Sequence, residues 1–339
     1  MEEVPVRNLS AVLAALVAAL TFGKPAEARA ANAKVLKFSN GLSETHPVIL
    51  GAKKFGEILA QRTSGRYEVQ VYPNATLGDD VRATEAVRMG TLEMVSTSSA
   101  PLTGLVPELA IFDLPFLVTS EAAADAIYDG PVGAKLAAAL EPKGLVLLAY
   151  FENGFRHVTN SVREVKSPAD MKGLKIRTMQ NPMHLDAFKA LGANPTPMPF
   201  SEVFTAMQQK TIDGQENPIP TIYLSKYNEV QKYVTLTGHI YGPHMVLINK
   251  KLFESFPESD RKIMREAAQE AAKYQRALNR KYSGELVAEL RKSGMIVTEL
   301  SPAQKKVFQD ACAPVYATWE PKVGKVFVDE VKAAVANAR

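Results

Sequence analysis

One stretch constrains the fold more than any other: Lys172 to Pro218, KGLKIRTMQNPMHLDAFKALGANPTPMPFSEVFTAMQQKTIDGQENP. Leu174 and Ile176 alternate with Lys175 and Arg177, the period-two pattern of a strand with two unlike faces. Asn181-Pro182 breaks that strand, and Met183, Ala187, Phe188 and Leu191 then recur at helical spacing until Gly192. A proline-rich connector follows, with Ser201 expected to N-cap a second helix carrying Val203, Phe204 and Met207. The chain turns at Gly214 into Gln215-Glu216-Asn217-Pro218. Arg177 therefore stands where a strand ends, and Asn217 just past the last turn. In open α/β sheets, ligands collect outside the carboxyl ends of strands. A guanidinium there presents a planar fork that matches a carboxylate bidentately and keeps its charge. The plainer reading is a solvated arginine and an asparagine that caps a turn.

The first half reads as the same kind of fold. Residues 34–40 form a strand, and Pro47 opens a helix with Ala52, Phe55, Ile58 and Leu59 on one face. Tyr67, Val69 and Val71 alternate as a second strand, Asp79 or Asp80 caps a helix that Gly90 ends, and Leu92 to Val95 is a third strand. Strand, helix, strand, helix, strand predicts a parallel sheet covered by helices. Ser43, Thr45, His46, Thr97 and Ser98 then collect at one sheet end. Leu145 to Tyr150 is continuously apolar, as in a strand buried on both faces, and leads into Glu152 to Arg156, the expected crossing to a second domain. Val234 to His239 reads as a strand returning to the first. Glu258 to about Leu290 is one amphipathic pattern, roughly 50 Å long as a helix. Shorter helices with Trp319 follow Pro302.

The N-terminus reads as an export signal. Arg7 precedes an apolar run, Leu9 to Phe22, too short to span a bilayer comfortably, and Ala28-Arg29-Ala30 and Ala31-Asn32-Ala33 offer cleavage sites. Glu2 and Glu3 dilute the basic end, and a retained anchor is the other reading. Removing residues 1–30 leaves about 309 residues, a length suited to two domains. The formal charge of +4 is unclustered; it slightly favours anionic ligands and argues little for nucleic acid. Cys312 is the single cysteine, so no intrachain disulfide forms. The chain has no GxSxG, phosphate-cradling glycine loop or HExxH, and no cysteine is placed with a histidine. His239 and His244 lack the further ligands of a metal site, and Asp79-Asp80 suits a helix cap better than a calcium loop. No cofactor is expected.

Five motifs in order, YPNATLGDD, NGFRHVTNS, KGLKIR, GANPTPMPFSEVFTAMQ with IDGQENP, and EVQKYVTLTGH, resemble the substrate-binding subunits of TRAP transporters, the DctP family of extracytoplasmic solute receptors. The resemblance covers nearly the whole mature chain. It implies an α/β, two-domain clamp of the periplasmic-binding-protein kind, with a hinge and a long helix lying along both domains. The expected division is 31–154 with 243–282, 155–242 with 283–310, and C-terminal helices over 311–339. It also implies a carboxylate clamp of Arg177 and Asn217, a second arginine of the cleft at Arg156, and an apolar wall at Phe200. Gln180 occupies a position that can carry a ligand-contacting asparagine in sialic-acid receptors. Ser98 stands where those receptors have glutamate, so their specificity is not carried over. Thr97 and Ser98 supply neutral polar groups from the first domain. His46 either caps a helix or touches ligand; His239 and Tyr241 either touch ligand or pack against the hinge. The expectation is a periplasmic receptor, without enzymatic activity, that closes on a small organic acid and hands it to an ion-gradient-driven TRAP permease. A uronate-like sugar acid is favoured, and a C4-dicarboxylate is next. The rival class, a periplasmic enzyme acting on organic acids, would have to use His46, His239 or Glu44.

Overall fold

The computed structural model describes residues 33–338, so the segment read as an export signal, 1–30, lies outside the described residues. In the first lobe β1 (Lys34–Ser39) and β2 (Tyr67–Tyr72) run parallel, joined by α1 (Pro47–Arg62). β3 (Met94–Ser98) follows α2 (Asp80–Met89) and lies parallel on the other side of β1. α1 buries Val48, Ile49, Ala52, Phe55 and Leu59 on one stripe, the periodicity that made it legible. α2 is capped by Asp79, whose side chain accepts from Val81 N and Arg82 N, and it ends at Gly90 with φ 81°. Of the two candidate caps Asp79 does the capping, and the Asp80 carboxyl is bonded instead by the Thr97 hydroxyl.

After α3 (Glu121–Tyr128) and α4 (Pro131–Leu140), the chain enters β4 (Leu145–Asn160), a 16-residue strand. Its first part pairs with β9 (Tyr241–Asn249) in the first lobe, and Arg156 onward pairs with β7 (Gly214–Pro218) in the second. The crossing expected at Glu152 to Arg156 is thus a continuous strand with a register shift between Glu152 and Gly154. The second lobe contains α5 (Pro168–Met171), β5 (Lys175–Thr178), α6 (Pro182–Ala190), β6 (Asn194–Pro197), α7 (Val203–Gln208), β7, α8 (Ile219–Leu224) and β8 (Tyr233–Thr235). The sheet order is β2-β1-β3-β9-β4-β7-β5-β6, with β8 beside β4 and β10 (Ile296–Thr298) beside β8. Two details differ from expectation. Ser201 lies inside a 3-10 turn, Phe200–Glu202, which runs into α7 without a side-chain cap. The returning strand is split in two: Gly238 adopts φ 57° and donates its N–H to His157 Nδ1, so pairing stops after Thr235 and restarts at Tyr241.

α9 (Lys250–Glu254) leads to α10 (Glu258–Lys292), 35 residues that run past both lobes. α10 serves the edge of β4 that no strand covers. Gln275 pairs with the Glu152 backbone at 2.7 and 2.8 Å, and Asn279 donates to Asn153 O at 3.1 Å. Arg276 donates twice to Tyr150 O. Side chains of one helix thus satisfy backbone groups that would otherwise be buried unpaired. The apolar core has three parts. One lies between the first sheet, α1 and α10, around Phe38, Phe55, Phe151 and Met264. A second, in the other lobe, holds Val203, Ile222, Tyr227 and Leu290. The third is shared between lobes, joining Phe112 and Tyr150 to Ile176 and Phe188, and it is closed by α11 (Pro302–Ala311), α12 (Ala313–Val323) and α13 (Lys325–Asn337). Trp319 of α12 donates Nε1–H to Asp186 of α6 at 2.9 Å.

Candidate ligand-binding cleft

Between the lobes lies a narrow cleft lined by residues of both. The first lobe contributes Asp80, Ser98, Asn153 and His244; the second contributes Arg177, Asn217 and Phe200. Each strand delivers its residue by position. Arg177 is next to last in β5, Asn217 next to last in β7, and Ser98 last in β3, where the antiparallel register sets it opposite His244 of β9. Phe200 packs against the cores of both lobes and lies 6.2 Å, centroid to centroid, from Tyr227.

Arg177 is 3% exposed and is oriented by the Met198 carbonyl, which accepts from its Nε at 3.0 Å and its Nη2 at 2.7 Å. Burial lowers its pKa from the ordinary value, and a group that begins so basic stays charged. Arg156 is placed differently. Its Nε and Nη2 hold the Glu216 carboxylate at 2.5 and 2.8 Å, and Nη2 also reaches Glu216 O and Asn217 Oδ1. Its Nη1 is buried with no partner. Burial pushes the Glu216 carboxyl upward, but Arg156, with a bond from His239, wins and holds it well below the carboxylate range. Arg156 is therefore the internal counter-ion of Glu216, with its Nη1 amino group left over.

The other expected residues divide in the same way. Ser98 lines the cleft and accepts from Asn153 Nδ2 at 3.2 Å. Thr97 is buried behind it, where its hydroxyl favours the ionised form of Asp80. His46 is the N-cap of α1: Nδ1 accepts from Val48 N, and Nε2 lies 3.1 Å from Thr221 Oγ1 of α8, a contact between lobes. Burial, with His244 nearby, pushes its pKa down to about 3. His239 is spent on Glu216 at 3.2 Å and Thr237 at 2.8 Å, its ring edge-on to Phe188. Gln180 is exposed at the start of the turn into α6 and is not among the groups around the cleft. Tyr241 packs at 4.5 Å on Phe155, against the hinge.

Sequence reasoning missed Asp80, Asn153 and His244 as cleft residues. The signal for Asp80 was the Asp79-Asp80 pair, since one N-terminus uses one cap. Its carboxyl is pushed up to about 6, chiefly by burial, against the pull of the Arg177 charge. His244 pairs through Nδ1 with Ser96 Oγ at 3.1 Å, and burial lowers it to about 3, so it faces the cleft as a neutral imidazole. Among the described residues no group of three His, Cys, Asp or Glu could hold a metal ion, and no helix is long and apolar enough to cross a membrane.

The family model for bacterial extracellular solute-binding protein, family 7 (DctP), matches residues 38–322. The 2,3-diketo-L-gulonate-binding periplasmic protein YiaO of Escherichia coli K12 is 42% identical over 82% of this chain and 84% of its own. The sugar acid binding protein DctPAm of Advenella mimigardefordensis, solved with galactonate, superposes with TM-score 0.89 at 37% identity, covering 91% of this chain and 99% of that one. A TRAP periplasmic solute-binding protein of Sulfurospirillum deleyianum, solved with succinate, gives TM-score 0.85 at 31% identity over 88% and 98% of the two chains. With two lobes about a cleft that ends on a strand-borne arginine, and with a family match over most of its length, this chain belongs to the DctP family of TRAP transporter solute-binding proteins.

Proposed function

We propose that the protein is the periplasmic receptor of a TRAP transporter, exported by its N-terminal signal, and that it holds the carboxylate of a small organic acid on Arg177. One observation carries this reading. A buried guanidinium, already oriented by Met198 O, lines a small cleft that both lobes share. An acid that touches Arg177 and Asn217 on one lobe and Ser98 and Asn153 on the other binds the closed form better than the open one. That difference in affinity is what drives closure. Arg156 contributes through its single free Nη1, with Glu216 keeping the rest of its guanidinium in place. The closed receptor then delivers its ligand to membrane permease subunits driven by an ion gradient.

A sugar acid, such as a uronate, suits the cleft best. Ser98, Asn153 and Asn217 offer neutral polar groups for hydroxyls, and Phe200 offers a wall for C–H faces. Relatives named for diketogulonate and galactonate support this choice; the succinate-bound one keeps a C4-dicarboxylate as the second reading. A ligand that binds only the folded state stabilises it by roughly 4 kcal/mol at a thousandfold excess over Kd. Melting the protein with millimolar glucuronate, galacturonate, galactonate, succinate and malate tests the reading. The sugar acids are expected to raise Tm most, and mass analysis should return the acid chemically unchanged. Turnover of the acid would instead make the protein an enzyme, and no shift with any acid would end the receptor reading. N-terminal sequencing of exported protein should give a start between Ala31 and Lys34.

A further inference from the structure

We propose that the protein carries a second ligand site, behind the hinge, that takes a small organic ammonium compound with an apolar body. The inference does not depend on which acid the cleft receives.

The site is a cavity of about 440 Å³ on the other face of the strand that crosses between the lobes. Successive residues of a strand point to opposite faces. Asn153 of β4 lines the acid cleft, while Glu152 and Gly154 on either side of it line the cavity. Both lobes wall it, the first with Phe116 and Glu121 and the second with Ile219 and Leu236, and α10 adds Ser283 and Val287. Its volume lies within the range of small-molecule sites, roughly 300–1,000 Å³.

Charge at one wall selects the ligand. Four carboxylates, Glu121, Asp125, Asp129 and Glu152, share the two guanidiniums of Arg276 and Arg280, so negative charge is in excess. Glu152 is 1% exposed and held by Asn279 and Arg280, whereas Glu121 lies 3.6 Å from Arg280, at the margin of an ion pair. Burial raises the Glu121 carboxyl above its ordinary value, and Glu152 and Asp125 add to this against the pull of Arg280. The Tyr241 hydroxyl is buried beside Glu152 without a hydrogen bond of good geometry. An ammonium group meets these needs together: it offsets the surplus charge, and its N–H bonds can reach carboxylate and hydroxyl oxygens. The groups opposite do not cancel the surplus. Lys305 is exposed on α11 and its charge is felt at His157, which is itself neutral: Nδ1 accepts from Gly238 N–H, and burial lowers its pKa to about 3. The rings of Phe116, Phe155 and Tyr241 complete the lining, and such faces attract a cation and pack an apolar body.

Calorimetric titration of the mature protein with benzylamine, benzyl alcohol and benzoate at pH 7.5 tests this. Benzylamine is expected to bind saturably at one site, and the alcohol and the acid about tenfold more weakly or not at all. Glu121→Gln removes an exposed carboxylate and should weaken benzylamine binding several-fold. Ser283→Trp fills the cavity from α10 and should abolish it. Unliganded Tm reports whether that variant folds, and Glu121→Gln decides alone if it does not. No saturable binding of benzylamine, equal binding of the alcohol or the acid, or undiminished binding to Glu121→Gln or to a folded Ser283→Trp would overturn the assignment.

Discussion

Arg177 and Arg156 show how differently two buried arginines can be held: Arg177 lines the cleft and Arg156 does not. Both are buried, but Arg177 is oriented by a neutral carbonyl with no carboxylate partner, whereas Arg156 is paired with Glu216 and has only Nη1 left over. Removing one partner of a buried charge pair costs roughly 2–5 kcal/mol, which is about 30- to several-thousand-fold in affinity. Arg177→Ala is therefore expected to nearly abolish acid binding while the unliganded Tm stays close to wild type. Arg177→Lys should also bind weakly, since an ammonium cannot reproduce the fork; calorimetry giving near-native Kd for both variants would remove Arg177 from the site. Histidines set the acid limit of stability. His46, His157 and His244 are each lowered from 6.5 to about 3, chiefly by burial. The unfolded chain therefore takes up protons between pH 6.5 and 3 that the folded chain refuses. Their contribution to stability is fully present above pH 6.5 and falls as pH drops through that window, by about 1.4 kcal/mol per pH unit for each imidazole. His46→Asn keeps a capping side chain on α1 and should flatten this slope, measured by urea unfolding at several pH values. An unchanged slope would mean that His46 is not buried as described.

At the scale of elements, β4 and α10 are what run through both lobes. β4 crosses from one lobe to the other as a single strand, and its free edge is read by Gln275, Arg276 and Asn279 of one helix. Gln275→Leu would leave the Glu152 N–H and C=O buried and unpaired, at about 1–3 kcal/mol for each group. The variant should unfold at clearly lower denaturant than wild type. Close packing makes a second demand in the same place. A side chain at Gly51 of α1 would begin 2.7 Å from Gln275 Cβ and 2.9 Å from Phe151. Gly51→Leu should therefore cost at least about 1–3 kcal/mol by overpacking. Wild-type stability for either variant, measured by equilibrium unfolding, would show that α10 is not seated against β4 and α1 in this way.

For the whole molecule, the question is how two lobes move when they share part of a core. The cluster closed by α11 to α13 runs from Tyr150 in one lobe to Phe188 in the other, so the lobes stay joined on that side. Hydrogen bonds also join the lobes, His46 with Thr221 and Asn181 with Ala100 O and Asp113. On the receptor reading, closure is expected to be a bend that opens and shuts the cleft side while the shared core holds. Saturating a sugar acid should lower the radius of gyration measured by small-angle scattering. An identical radius with and without a ligand of proven affinity would count against a moving clamp.

The chain by itself determined what depends on near neighbours. Alternation gave the strands around Val69 and Ile176, helical spacing gave α1 and the length of α10, and a strand-ending arginine stood out in KGLKIR. Five ordered motifs were enough to suggest the family. Strand order decided the rest. Arg156 meets Glu216, 60 residues away, because β4 and β7 are antiparallel neighbours, and no local pattern announces that pairing. His244 reaches the cleft because register places it opposite Ser98, and Gln180 misses it because the chain turns outward before α6. Asp79 takes the cap of α2, and Asp80, the next residue, lines the cleft. Periodicity is a property of a segment and can be read along it. The charge left over for a ligand is a property of partners brought together from distant segments, and only the packed sheet decides which charges those are.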